Sequence, residues 1–293
     1  MKTAENKMIS KSYSYLLLVP GMLIYGIIFV LPTMGSFYFS LTRWDLLHVE
    51  FIGLENFKTF LTTPATRSAI PHTLINAVVT ATAKVVLALV FAVLLSNEKL
   101  KTRTYLKSLI YSSCILSTVA VGITFTQLFH PSKGLINHVL AALNLPTSKW
   151  LTDKKTSLIS VMIVDVWRGL GTCLVIYLSG LGAISRDYYE AAAIDGATGS
   201  KAFWKITLPL LVPSIKSVTT LCLIGGLKTY ELVWTMTSGG PGYSSEVLGT
   251  VIYKLFARSA YGLATAGNVL MFIIVCAIIF PLNAYFAKKT VEL

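Results

Sequence analysis

Asp165, Arg168, Gly169 and Thr172 recur at i, i+3, i+4 and i+7 within an otherwise apolar stretch. That spacing puts a carboxylate, a guanidinium, a gap and a hydroxyl on one helical face. Cys222, Gly225, Gly226 and Thr229 repeat it further on, with Lys228, Tyr230, Glu231 and Trp234 at the end of that stretch. An ionisable group inside an apolar helix is expensive and by default marks a pathway. Hydroxyls, a carboxylate and aromatic rings suit a neutral polyol such as a sugar, and small residues let a bulky solute approach. Structural roles fit the same pattern. Asp165–Arg168 and Lys228–Glu231 have the i, i+3 spacing of self-neutralising ion pairs, and the glycines equally serve close helix packing. Lys84 is also intramembrane, with no partner evident in the sequence.

Other chemistry is missing. There is no GxxxxGK[ST] phosphate loop, nucleophile elbow or HExxH in the chain. The protein is therefore expected not to be an enzyme and to hold no cofactor of its own. Cys114, Cys173, Cys222 and Cys276 sit in apolar runs without CxxC spacing and read as small packing residues. His48, His72, His130 and His138 form no ligand pattern, so no metal site is expected.

The elements that must position these residues are membrane spans. The chain has 293 residues, 54% hydrophobic and 13% charged, against about 25% charged in soluble domains. Its apolar residues gather into runs of about 20 or more, enough to cross a bilayer as helix. The fold expected is all-α, with six transmembrane helices near 13–41, 74–95, 108–129, 157–181, 208–234 and 264–287. The first run is too long for a secretory signal and reads as an uncleaved span. A polar segment, 1–12, precedes one transmembrane domain over 13–293. Residues 247–256, after the turn Ser238-Gly239-Gly240-Pro241-Gly242, read as a re-entrant or interfacial helix. The net charge of +12 is scattered through short loops, which fits membrane topology rather than nucleic acid.

The segment 183–206 is too polar to span. Ser185 or Asp187 can cap a short helix through Glu190 and Ile194, and Gly196 can supply the left-handed residue that stops it. Tyr189, Ala192 and Ala193 form a small, weakly apolar face, with Arg186, Asp187, Glu190 and Asp195 opposite. Such an element suits docking into a groove of another protein. Lys/Arg density is roughly twofold higher in the N-terminus, 96–107, 183–206 and the C-terminus than in the other loops. Lys99, Lys101, Arg103 and Lys107 are the densest cluster. Both termini and the Glu190 loop are therefore expected to be cytoplasmic.

Glu190-Ala191-Ala192, then Asp195-Gly196, then Ile206-x-Leu208-Pro209 resembles the EAA loop of the permeases of ABC importers. Phe51-Ile52-Gly53-Leu54-Glu55-Asn56-Phe57, Asp165-Val166-Trp167-Arg168-Gly169, Thr237-Ser238-Gly239-Gly240-Pro241 and Tyr261-Gly262-Leu263-Ala264 extend the resemblance to carbohydrate-uptake permeases. It implies the type I importer fold and a bacterial cytoplasmic membrane. The implied partners are a second permease in a heterodimer, two ATPase subunits that hold ATP and Mg, and an extracytoplasmic solute-binding protein. It implies ATPase coupling through Tyr189, Glu190, Ala191, Ala192, Asp195, Gly196, Ile206, Leu208 and Pro209, and a sugar path along Asp165, Gly169, Thr172, Gly226 and Thr229. The rival reading is an ion-coupled secondary transporter or channel. Inverted repeats and paired intramembrane carboxylates, which such proteins commonly show, are not evident in the sequence.

Overall fold

The computed structural model describes residues 15–45, 48–96 and 100–288. The expected N-terminal segment 1–12, Lys99 and Lys289 lie outside the described residues. The chain forms two compact units, one built from residues up to Phe60 with Leu255–Leu270, the other from Leu61–Lys254 with residues from Met271 on.

In the first unit, helix α1 (Val19–Ser40) has no buried residue before Ser40. Pro20 lies in its first turn, where a missing amide hydrogen costs little. Pro32 removes a hydrogen bond further on, and the turn just before it, Gly26–Val30, widens to π geometry. Residues after α1 were expected to be loop. They form a hairpin, β1 (Thr42–Trp44) against β2 (Val49–Phe51), antiparallel with Arg43 opposite Glu50. Helix α2 (Glu55–Thr62) follows. Buried Asn56 staples it to the chain before β1, donating to the carbonyls of Ser40 (2.9 Å) and Thr42 (2.8 Å). Trp44 stacks between Phe39 and Tyr261, with centroid separations of 4.1 and 5.3 Å.

The second unit holds α3 (Pro64–Ser96), α4 (Arg103–Ile115), α5 (Thr118–Leu128), α6 (Leu135–Ala142) and α7 (Ser157–Gly182). After these come α8 (Arg186–Ile194), the irregular helix α9 (Ser200–Leu210), α10 (Val212–Leu227), α11 (Glu231–Thr237) and α12 (Leu248–Ala257). The last helix is α13 (Tyr261–Ala287). The buried face of α3 is made mostly of small residues, Thr66, Ala69, Thr73, Ala77, Thr80, Ala81, Ala88 and Ala92, that recur at helical spacing. Lipid is as apolar as leucine, so close backbone approach on small side chains is what holds such helices together. Along that face Ala88, Ala92 and Leu95 pack with Cys173, Leu174 and Tyr177 of α7 and with Val218 and Cys222 of α10. Helices α3 and α7 thus run parallel, and residues 100–102 and 183–211, which follow them, share one end of the unit.

Among the described residues four helices are long and apolar enough to span, or up to six if each bent pair counts as one. The expected third span is the pair α4–α5, bent by 101° at Leu116–Ser117. No glycine or proline marks that bend. Just before it α4 is anchored on α7, where Ser113 Oγ lies 3.2 Å from the Trp167 carbonyl. The expected fifth span, 208–234, is also interrupted. α9 and α10 meet at 66°, and residues 228–230 separate α10 from α11. The expected re-entrant helix is α12, whose Leu248, Thr250, Val251 and Ile252 are buried.

Candidate functional site

The break at 228–230 and the bend before Thr118 bring five helices, α3, α5, α7, α10 and α11, round one cavity. It has a volume of about 360 Å³, within the ~300–1,000 Å³ usual for small-molecule sites. Asp165, Arg168, Gly169 and Thr172 of α7 form one wall, with Lys84 of α3 beside them. Gly225, Lys228, Thr229, Tyr230 and Glu231 form the other, and Thr118 completes it.

Two of the pairings suggested by spacing do not form. Asp165 pairs across helices with Lys84 (Nζ to Oδ2, 2.6 Å), not along its own helix with Arg168. Among the described residues no ion pair joins Lys228 to Glu231. Each instead sits at a helix end of complementary sign, Lys228 at the C-terminus of α10 and Glu231 at the N-terminus of α11. Gly169 is what admits Lys84. A Cβ there would stand 2.7 Å from the Lys84 Cε, so the lysine stem crosses the helix at this glycine to reach Asp165 one turn away. Arg168 Nε is buried without a hydrogen-bond partner.

Of the expected path residues, Asp165, Gly169, Thr172 and Thr229 line the cavity. Gly226 does not. It is buried against α3, where a Cβ would stand 2.7 Å from the Ala77 Cα, and its carbonyl accepts from Asn76 Nδ2 at 3.1 Å. Its neighbour Gly225 opens on the cavity instead. Periodicity could not separate these two adjacent glycines, because the packing of α10 on α3 decides which one faces the cavity. Lys84 escaped assignment because its partner is 81 positions away. Cys173 and Cys222, read as packing residues, meet as free thiols with sulfurs 3.3 Å apart.

The second candidate site is α8 with its turn. Ser185 Oγ accepts from the Asp187 amide (3.3 Å), the expected N-cap. At the other end the Ala197 amide donates to the Ala192 carbonyl (2.8 Å) and the Gly196 amide to that of Ala193 (3.1 Å). With Gly196 at φ +71° this is a Schellman stop. Of the expected small face, Tyr189 and Ala192 turn inward and Ala193 is exposed. Ala192 is buried, and Tyr189 Oη lies 3.0 Å from Thr207 Oγ1. Tyr188, Glu190, Ala191, Ala193, Ile194, Asp195 and Gly196 face out, Ile194 with 88% of its surface exposed. Tying Tyr189 to the segment that carries Ile206, Leu208 and Pro209 makes Tyr189 and Ala192 an internal joint and leaves Glu190 and Ile194 on the outward surface. Ile206 and Leu208 are half-buried and Pro209 is exposed.

Apolar helices of spanning length, a polar cavity between them and an exposed helix at one end define a multi-pass membrane permease. Residues 84–292 match the family described as "Binding-protein-dependent transport system inner membrane component", and the chain belongs to that family. It is a family of transport components, not enzymes. The chain is 30% identical over 286 residues to the multiple sugar-binding transport system permease protein MsmF of Streptococcus mutans, covering 97% of this chain and 98% of that protein. It is 30% identical to the trehalose/maltose transport system permease protein MalF of Thermococcus litoralis, covering 93% of each. In fold it is similar to a chain of a bacterial alginate ABC transporter solved with its alginate-bound periplasmic protein. The TM-score is 0.80 at 22% identity, over 99% of this chain and 97% of that one.

Proposed function

We propose that the chain is one permease of a sugar importer and couples solute movement to ATP hydrolysis by partner subunits through α8. The observation that carries the reading is the outward face of α8, an exposed helix stopped at Gly196 and hinged on Tyr189. Glu190 has no side-chain partner among the described residues and is free to meet a cation on the ATPase. The partners proposed are a second permease, two ATP- and Mg-binding ATPases and an extracytoplasmic solute-binding protein. The sugar names of the relatives support a carbohydrate solute. ATP-driven approach of the ATPases would rock the spans around the Asp165–Thr229 cavity, which then opens alternately to the two sides. The ion-coupled alternative is not favoured by the family. An ATPase subunit encoded beside this chain should co-purify with it from solubilised membranes, and its absence from the purified permease pair would sink the reading.

Orientation is part of the proposal: α8 and both termini face the cytoplasm, in keeping with the Lys/Arg bias. In a chain whose native cysteines are replaced, Ser148→Cys should react with an impermeant maleimide on intact cells and Ser200→Cys only after lysis. The reverse pattern would invert the topology.

For the cavity, Thr229→Leu puts apolar bulk on the path while leaving α8 untouched. Uptake should fall on the order of tenfold, the equivalent of ~1.4 kcal/mol of barrier, with the ATPase still bound. Unchanged uptake kinetics would reduce Thr229 to packing.

A further inference from the structure

A furrow on the other side of the α3–α7 pair has a volume of about 620 Å³ and is lined mostly by apolar side chains. Ile75, Val79, Ala83 and Leu87 of α3 run along it at intervals of four residues, facing Ile159, Ile163 and Val166 of α7. Twelve residues of helix separate Ile75 from Leu87, about 18 Å at 1.5 Å each. One bilayer leaflet offers roughly 15 Å of hydrocarbon, so the furrow has the length of a single acyl chain. Its polar groups gather at one end, away from α8: His72, Lys154, Lys155 and Ser244.

The lysines are exposed and have no ion-pair partner among the described residues. The nearby Glu246 carboxylate is engaged by Lys254 (2.6 Å) and Thr250 (2.7 Å) and does not serve them. His72 is held in place, its Nδ1 donating to the Glu246 carbonyl at 3.1 Å. Ser244 Oγ lies 2.9 Å from Ser157 Oγ, at the start of α7. An acyl-length slot that ends in two unneutralised ammonium groups complements a phospholipid whose headgroup carries net negative charge. We propose that this furrow is a specific site for an anionic phospholipid, the tail along Val79 and Ile163 and the phosphate at Lys154 and Lys155.

The test uses the whole complex, purified in mild detergent from nanodiscs of mixed phosphatidylglycerol and phosphatidylcholine and examined by native mass spectrometry. Wild type should retain phosphatidylglycerol in preference to phosphatidylcholine. A lysine near an anionic surface contributes about 1 kcal/mol, roughly fivefold, so K154Q/K155Q should reduce the preference about 10- to 30-fold. Both lysines are exposed, so their replacement should leave the fold intact. Val79→Trp, which fills the slot, should release both lipids with the lysines still present. Equal retention of the two lipids by wild type and K154Q/K155Q would overturn the proposal. So would a cross-link from Val79→Cys to the second permease, which would show the furrow occupied by protein.

Discussion

Gly196→Asp should give a complex that inserts and assembles but no longer stimulates ATP hydrolysis when loaded binding protein is added. The separation follows from two unequal costs. Within the chain Gly196 sits at φ +71° with nothing within 4 Å of an added Cβ. The folded permease therefore bears only the strain of a left-handed non-glycine residue, about 1–2 kcal/mol. If α8 is the ATPase contact proposed above, the new carboxylate would project from the contacting turn and meet packed protein there. Glu190→Gln should act in the same direction more mildly, by loss of a charge-assisted hydrogen bond worth roughly 1.5–3 kcal/mol. Stimulated ATPase activity of the reconstituted complex reads both. Wild-type stimulation and uptake in Gly196→Asp would show that this turn is not the coupling element.

Lys84→Met should be the most destabilising single change in the cavity. The Lys84 and Asp165 side chains are 9% and 15% exposed and 2.6 Å apart. Removing the lysine leaves the Asp165 carboxylate uncompensated inside the membrane, a class of change that costs about 3–5 kcal/mol. Removing both charges should cost much less, because no bare charge remains. Thermal unfolding of the purified complex should therefore show a large loss for Lys84→Met and recovery of more than half of it in Lys84→Met/Asp165→Asn. If the double variant is as unstable as the single one, the lysine stem across Gly169 matters and the charge pair does not.

These two sites were legible in the sequence to different degrees, for physical reasons. The α8 turn depends on neighbours in the chain: Ser185 caps by reaching two residues on, and Gly196 stops by adopting positive φ. Residue type alone announces both. The direction α8 faces depends on the Tyr189–Thr207 contact 18 positions away, which the local spacing of Tyr189, Ala192 and Ala193 does not record. The same division holds in the cavity. Four residues of the i, i+3, i+4, i+7 face of α7 reach it because they share one helix. Lys84 could be identified as costly in the membrane but not paired. The breaks at Leu116–Ser117 and 228–230 carry neither proline nor glycine, so they arise from packing that hydropathy does not record. The hairpin Thr42–Trp44 with Val49–Phe51 was missed because three-residue strands are too short for alternation to register.

The most direct test of ATP-driven sugar import is uptake by proteoliposomes that contain this permease, its partner permease and the ATPases. ATP is supplied to the face bearing α8, loaded binding protein to the other, and ionophores collapse every ion gradient. A panel of labelled sugars identifies the solute. The account predicts accumulation of at least one of them that requires hydrolysable ATP and binding protein and is indifferent to the ionophores. Accumulation that proceeds without ATP and disappears when the ion gradients are collapsed would contradict it.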